Sequence, residues 1–232
     1  MCMKLDLRVL MFRRFGKRLI VSHGISPDAF VQLALHVTCY KMFGELKSTY
    51  ESCSTRRFYH GRTECLRSLT SEVARFVEVV GCARASAEEQ VAAARAAFEA
   101  HAQRAKECQA GEGVDRHMWG LQSLARVHQS SGYAKGACEG FEKLAVWNRM
   151  LDSFMSTSNS GNEYIECFAF GPTSRDGLGI GYVIHPERVC VCVTSFKQNC
   201  AQFSRNLERT LVSLGELFEC GKCMRLSLDT KF

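Results

Sequence analysis

Residues 189–196, Val-Cys-Val-Cys-Val-Thr-Ser-Phe, constrain the fold more than any other stretch. They are apolar on both faces that a strand would present, which suits a strand buried in the middle of a sheet. Such a strand needs others beside it and a layer of helices against it, and the rest of the chain supplies both patterns. Leu178, Ile180, Tyr182 and Ile184 alternate with a period of two, while Gly179 and Gly181 fall on the opposite face, where something must approach closely. Asp176-Gly177 just before them marks a tight turn. The apolar-rich run 164–170, ending at Gly171-Pro172, predicts a further strand. Residues 5–12 predict another, so the chain opens almost inside an element.

Helices fill the space between. Ser26-Pro27-Asp28 supplies an N-cap, a first-turn proline and an acid near the positive end of the helix dipole. Phe30, Leu33, Ala34, Val37 and Tyr40 then recur at helical spacing until Gly44 ends the run. Helices are also predicted over 71–80 and over 86–108, the latter with Val91, Ala94, Phe98 and Ala105 on one stripe. Another covers 114–128, with Met118, Leu121, Leu124 and Ala125 facing inward, and a short one covers 141–150. The last, 200–218, carries Phe203, Leu207, Leu211 and Leu214. Residues 13–24, which are basic, and 130–140 read as loops. The sum is an α/β sandwich of one mixed sheet packed by helices, a single domain over 1–219 with a frayed tail at 220–232.

Composition narrows the class. A chain of 232 residues is long enough for a sizeable core, and 46% hydrophobic residues with a mean hydropathy of −0.12 describe an ordinary globule. The net charge of +6 is scattered, which favours local anion sites over a nucleic-acid groove. Thirteen cysteines without a signal peptide read as reduced, mostly buried thiols of an intracellular protein, with mitochondrion, peroxisome and cytosol all open. No apolar run approaches the length that spans a bilayer, and Thr230-Lys231-Phe232 is not a peroxisomal Ser-Lys-Leu address. Cys220 and Cys223 lack a second ligand pair, and Cys190 and Cys192, one apart on a strand, read as packing, so no metal is expected.

The stretch Tyr50 to Ser68 stands apart. It holds four arginines, two glutamates, a histidine and several hydroxyls, with little that could fill a core. Arginine forks beside hydroxyl donors suit a small anionic or zwitterionic ligand. The plainer alternative is a solvated strand and loop whose charges pair with one another.

Three blocks together resemble the carboxyl-terminal half of the choline/carnitine acyltransferase family. They are the run 26–35 from Ser26-Pro27-Asp28; Tyr50-Glu51-Ser52 through Gly61-Arg62-Thr63-Glu64 to Arg67-Ser68; and Ser156-Thr157-Ser158 followed by Gly171-Pro172 and Asp176-Gly177. The resemblance implies a chloramphenicol-acetyltransferase-like fold. It also implies transfer of an acyl group between the coenzyme A thiol and the hydroxyl of carnitine or choline, with a histidine base and no metal or permanent cofactor. Ser158 matches the donor to the thioester oxyanion. Tyr50, Thr63, Arg116 and Ser156 match positions that hold the carnitine carboxylate, and choline-specific members lack this threonine and arginine. Lys17, Asp28, Glu51, Ser52 and Asn159 match positions along coenzyme A. Phe168 matches the residue whose bulk limits the acyl chain, which favours acetyl or another short group.

The departures are specific. Val21 stands where many members have a second phosphate-binding lysine, Asn159 replaces a glutamine, Leu178 a tyrosine and Ala102 an arginine. The family's base histidine lies in its amino-terminal half. None of His23, His36, His60, His101, His117, His128 and His185 occupies that position, and His117 is expected to be structural. The expectation is therefore a partial chain whose partners are carnitine, acyl-CoA and the missing amino-terminal half. The alternative is a non-catalytic module that binds coenzyme A or acyl-carnitine, or a degenerate remnant.

Overall fold

The computed structural model describes residues 4–129, 140, 143, 145–162, 164–197, 199–219, 226 and 228. Six strands form one sheet in the order β1-β6-β5-β4-β2-β3: β1 (Asp6–Phe12), β2 (Thr49–Ser54), β3 (Thr63–Leu66), β4 (Met155–Asn159), β5 (Leu178–Ile184) and β6 (Val189–Ser195). β6 runs antiparallel to both neighbours and all of its residues are buried, as its two apolar faces require. β4 pairs parallel with β5 and with β2, and β2 closes an antiparallel hairpin with β3.

Seven helices are described: α1 (Lys17–Ser22), α2 (Pro27–Phe43), α3 (Ser71–Gly81), α4 (Ala87–Ala110), α5 (Asp115–Gln129), α6 (Ala145–Leu151) and α7 (Cys200–Glu219). α2 begins as its sequence predicts: the Ser26 side chain accepts from the Ala29 N–H, and Pro27 takes the first turn. It ends at Gly44, whose φ of 72° is left-handed. Every residue from Ala29 to Cys39 is buried, so α2 is the central post of the helix layer, flanked by α4 and α7. Phe12, Phe30, Leu33, Met155, Ile180, Tyr182, Val191, Phe203, Leu207 and Leu211 belong to this one core.

Four expectations are corrected. The run 164–170 is not a strand; it crosses the glycine face of β5 as a strap, its carbonyls meeting side chains rather than a ladder. Residues 13–24 include α1, so they are not simply a loop. The inward stripe of α5 is rotated: Asp115, Gln122 and Ala125 are buried, while Leu121 and Leu124 are 42% and 57% exposed. The cause is a long-range anchor, the buried ion pair from Arg67 of the segment after β3 to Asp115 in the first turn of α5. Finally, Leu226 in the expected frayed tail is 2% exposed and exchanges two hydrogen bonds with Gln90 of α4. The region 130–139 and the Cys220/Cys223 pair lie outside the described residues.

Candidate active site

A pleated strand sends successive side chains to opposite faces, and β4 sits between β5 and β2. Met155 and Thr157 turn into the helix layer, where Thr157 accepts from Gln32 of α2 at 2.9 Å. Ser156 and Ser158 therefore face the other side of the sheet. Register places Tyr50, Ser156 and Gly179 in one row across β2, β4 and β5. Ser52, Ser158 and Gly181 form the next row, with the two serine hydroxyls 3.0 Å apart. The strap passes directly over the glycines. A Cβ at Gly181 would sit 2.4 Å from the Phe168 carbonyl oxygen and 3.3 Å from its ring; one at Gly179 would sit 2.7 Å from the Phe170 carbonyl oxygen. The close approach read from the glycines is thus the chain's own backbone. Phe168 lies beside the Ser158 row.

The four residues expected at a carboxylate gather at one end of these rows. The Arg116 guanidinium donates to the Tyr50 hydroxyl at 3.3 Å and to the Thr63 carbonyl at 3.4 Å, and lies 5.9 Å from the Tyr50 ring centroid. Tyr50 and Ser156 also line a cleft of about 180 Å³ with Ser153 and Thr173. Arg67 and Asp115 support this end from the side, since Arg67 also donates to Ser153 Oγ at 3.0 Å and to the Thr49 carbonyl. His117 is exposed on α5 next to Arg116.

The residues expected along coenzyme A divide. Lys17, Asp28 and Asn159 line an open cleft of about 760 Å³, together with Ser160, Tyr164 and Pro186. Arg56, in the β2–β3 loop, adds a second cation to the wall. It lies within the arginine-rich stretch, yet nothing in the sequence separates it from Arg57, which stacks on Phe58 instead. Ser52 lies on the open face with Ser158. Glu51 turns the other way, into the helix layer, where its carboxylate meets His101 of α4 at 2.8 Å. Three charges of the stretch thus reach α4 and α5, Glu51 to His101, Arg67 to Asp115 and Glu64 to the backbone N–H of Arg116, while Arg56 and Arg57 contact their neighbours Ser54 and Phe58.

Behind the site runs a buried polar chain. Ser68 Oγ donates to Gln32 Oε1 at 3.0 Å, so the 3.1 Å contact to His36 Nε2 leaves that nitrogen as the donor. The two Gln32 amide hydrogens go to Thr157 Oγ1 and, at 3.1 Å, to the Tyr182 hydroxyl. Tyr182 and Asn159 both donate to Asp28 Oδ1, at 2.9 and 3.0 Å. One branch ends on the Asp28 carboxylate at the cleft and the other passes through Thr157 to the Tyr50 carbonyl, so the network ties α2 to β2, β4 and β5. Burial, aided by the nearby His101 charge, pushes the His36 pKa down to about 3, which keeps the ring neutral. Burial also opposes charge on His101, but the hydrogen bond and charge of Glu51 outweigh it and raise that pKa. Burial likewise lifts the Cys39, Cys65, Cys108 and Cys200 thiols to about 12, and all nine described cysteines are free.

The sheet thus carries serine rows on its open face, a strap above them, and a cleft near each end. The chain belongs to the choline/carnitine O-acyltransferase family, whose sequence model matches residues 1–211. It is 31% identical over 227 residues to carnitine O-acetyltransferase of Columba livia, covering 93% of this chain and 34% of that one. It is 31% identical over 225 residues to the mitochondrial carnitine O-palmitoyltransferase 2 of Homo sapiens (95% and 33%), and 32% identical over 219 residues to choline O-acetyltransferase of Sus scrofa (90% and 33%). The chain thus spans about a third of the length of these curated relatives. Among solved structures, a crystal structure described as "CT mutant" superposes with a TM-score of 0.50 at 10% identity, covering 97% of this chain and 47% of that one, a likeness of fold alone. No described helix is long and apolar enough to cross a membrane.

Proposed function

We propose that this chain carries the substrate-holding part of a carnitine O-acyltransferase, moving a short acyl group between coenzyme A and the carnitine hydroxyl. The observation that carries the reading is the pairing of the Tyr50–Ser156 row, capped by Arg116, with the adjacent Ser52–Ser158 row leading to the Lys17/Arg56 cleft. Arg116, Tyr50, Thr63 and Ser156 hold the carnitine carboxylate, and the guanidinium supplies the charge that an uncharged set could not. Lys17, with Arg56 beside it, takes coenzyme A phosphate, while Asp28 and Asn159, locked to one another, line the same wall.

In the reaction the carnitine oxygen attacks the thioester carbonyl, and the negative charge that develops there meets the Ser158 hydroxyl. The C–S bond then breaks and the coenzyme A thiolate leaves, taking up the proton that a base removed from carnitine. The resemblance puts that base in the family's amino-terminal half; of the buried histidines here, His36 is held against Ser68 and His101 is committed to Glu51. Phe168, against Gly181 beside Ser158, shortens the space for the acyl chain. The same clefts would equally serve a binding module without turnover.

Calorimetry decides the ligands. Carnitine and coenzyme A should each release heat with this chain, and choline should bind more weakly. Arg116→Ala should weaken carnitine about 10- to 100-fold, the worth of a charge-assisted hydrogen bond, and leave coenzyme A unchanged. No heat from either ligand at millimolar concentration would overturn the reading. Acetyl transfer on adding an amino-terminal half from the family would separate the enzyme from the binding module.

A further inference from the structure

Three cysteines, one from the strap and two from β6, converge at one point. Cys167, Cys190 and Cys192 have their Sγ atoms all within 4.8 Å of one another, the one such group of metal-ligating side chains among the described residues. Cys190 and Cys192 project from the same face of β6, two residues apart, and are 0% and 2% exposed. Cys167 comes from the strap above them and is exposed. All three are free thiols. The packing of Cys190 and Cys192 on one face is as the sequence predicts, but a third thiol placed over that pair is more than packing requires.

We infer that Cys167, Cys190 and Cys192 form a three-thiolate site for a soft metal ion with a filled d shell, monovalent copper in particular, which clasps the strap to the sheet. Thiolates select soft ions, and copper in this state is satisfied by sulfur alone. A structural zinc site is closed by four protein ligands, and no described carboxylate, imidazole or further thiol joins these three. The exposed Cys167 gives the ion its route in from solvent. As each metal–sulfur bond forms, one thiol proton leaves to water: three thiols and one monovalent ion give the bound complex and three protons. Because binding releases these protons, occupancy should rise with pH.

The position gives such an ion a consequence. Cys192 lies opposite Gly181 on β5, and Gly181 lies opposite Ser158 on β4. The strap residue after Cys167 is Phe168, whose ring rests on Gly181. The strap is otherwise held to the sheet side by Thr194 Oγ1 to the Phe170 carbonyl at 2.6 Å and by Arg188 to Glu166. A metal bridge would add a link between them, at the residue next to Phe168.

The test uses the whole chain with Cys2, Cys82, Cys138, Cys220 and Cys223 changed to Ser, which removes the other exposed described thiol and the four outside the described residues. Monovalent copper is titrated under reducing, oxygen-free conditions against a competing chelator. The expected result is one equivalent bound with a three-sulfur shell in X-ray absorption, together with slower amide exchange over the strap. Cys167→Ala, on the exposed strap where folding is not at stake, should weaken binding more than about 100-fold, beyond what loss of an outer-shell partner costs. Copper binding unchanged by Cys167→Ala, a two-sulfur shell, or tighter binding of zinc would overturn the assignment.

Discussion

The two faces of the sheet use the same strands to opposite ends. On β4, Met155 and Thr157 enter the helix layer while Ser156 and Ser158 look out. On β2, Glu51 enters while Tyr50 and Ser52 look out. The inward set is packed or hydrogen-bonded to the helix layer, and the outward set offers hydroxyls beneath a strap. Stability and the proposed chemistry are thus separated by the parity of a residue number. A one-residue slip in β4 would exchange them, which the polar chain from Gln32 to Thr157 and Tyr182 prevents.

The comparison breaks most readily where the support of the site is itself buried. Arg67→Ala would leave Asp115, whose side chain is 5% exposed, with only the 3.4 Å contact to the more exposed Arg116. Losing half of such a buried pair costs about 3–5 kcal/mol, so urea unfolding should shift by that amount and α5 should lose its rotation. An unchanged midpoint would mean that the pair does not anchor α5.

Ser158→Ala sharpens the contrast. In chain complemented for activity, removing the proposed oxyanion donor should lower turnover about 100- to 1,000-fold, while unfolding free energy should stay within about 0.5 kcal/mol. A loss of stability in place of turnover would return Ser158 to the structural face.

The smallest effect near neutral pH comes from the two buried histidines, and their signs differ. His36 has a depressed pKa, so it remains neutral in the fold while the unfolded ring protonates below about 6.5; its contribution is lost as pH falls from there toward about 3. His101 has a raised pKa, so its contribution is present below about 6.5 and is lost as pH rises through the folded value. Stability should peak between these limbs. Glu51→Gln should flatten the alkaline limb alone, and a Glu51→Gln profile that keeps that limb would remove His101 as its source.

Much of the fold was legible because it is local. The period of two in Leu178–Ile184, the Ser26 and Gly44 caps, and the doubly apolar run at 189–196 each carry their own geometry. β4 was not legible as a strand, since Met-Ser-Thr-Ser-Asn shows no apolar alternation to read. The rotation of α5 depends on Arg67, nearly fifty residues earlier, and the strap depends on two glycines that follow it. At the site, resemblance supplied most residues. The direction of Glu51 and the role of Arg56 in the cleft wall required tertiary structure, as did the meeting of Cys167 with Cys190 and Cys192.

The central claim is that two ligands occupy opposite ends of the open face. Amide hydrogen exchange, followed by mass spectrometry, tests it directly with carnitine and coenzyme A added separately. Carnitine should slow exchange in β2, β4 and the first turn of α5, coenzyme A should slow it in α1, the start of α2 and residues 159–162, and α7 should respond to neither. Protection confined to the helix layer, or the same segments protected by both ligands, would contradict the account.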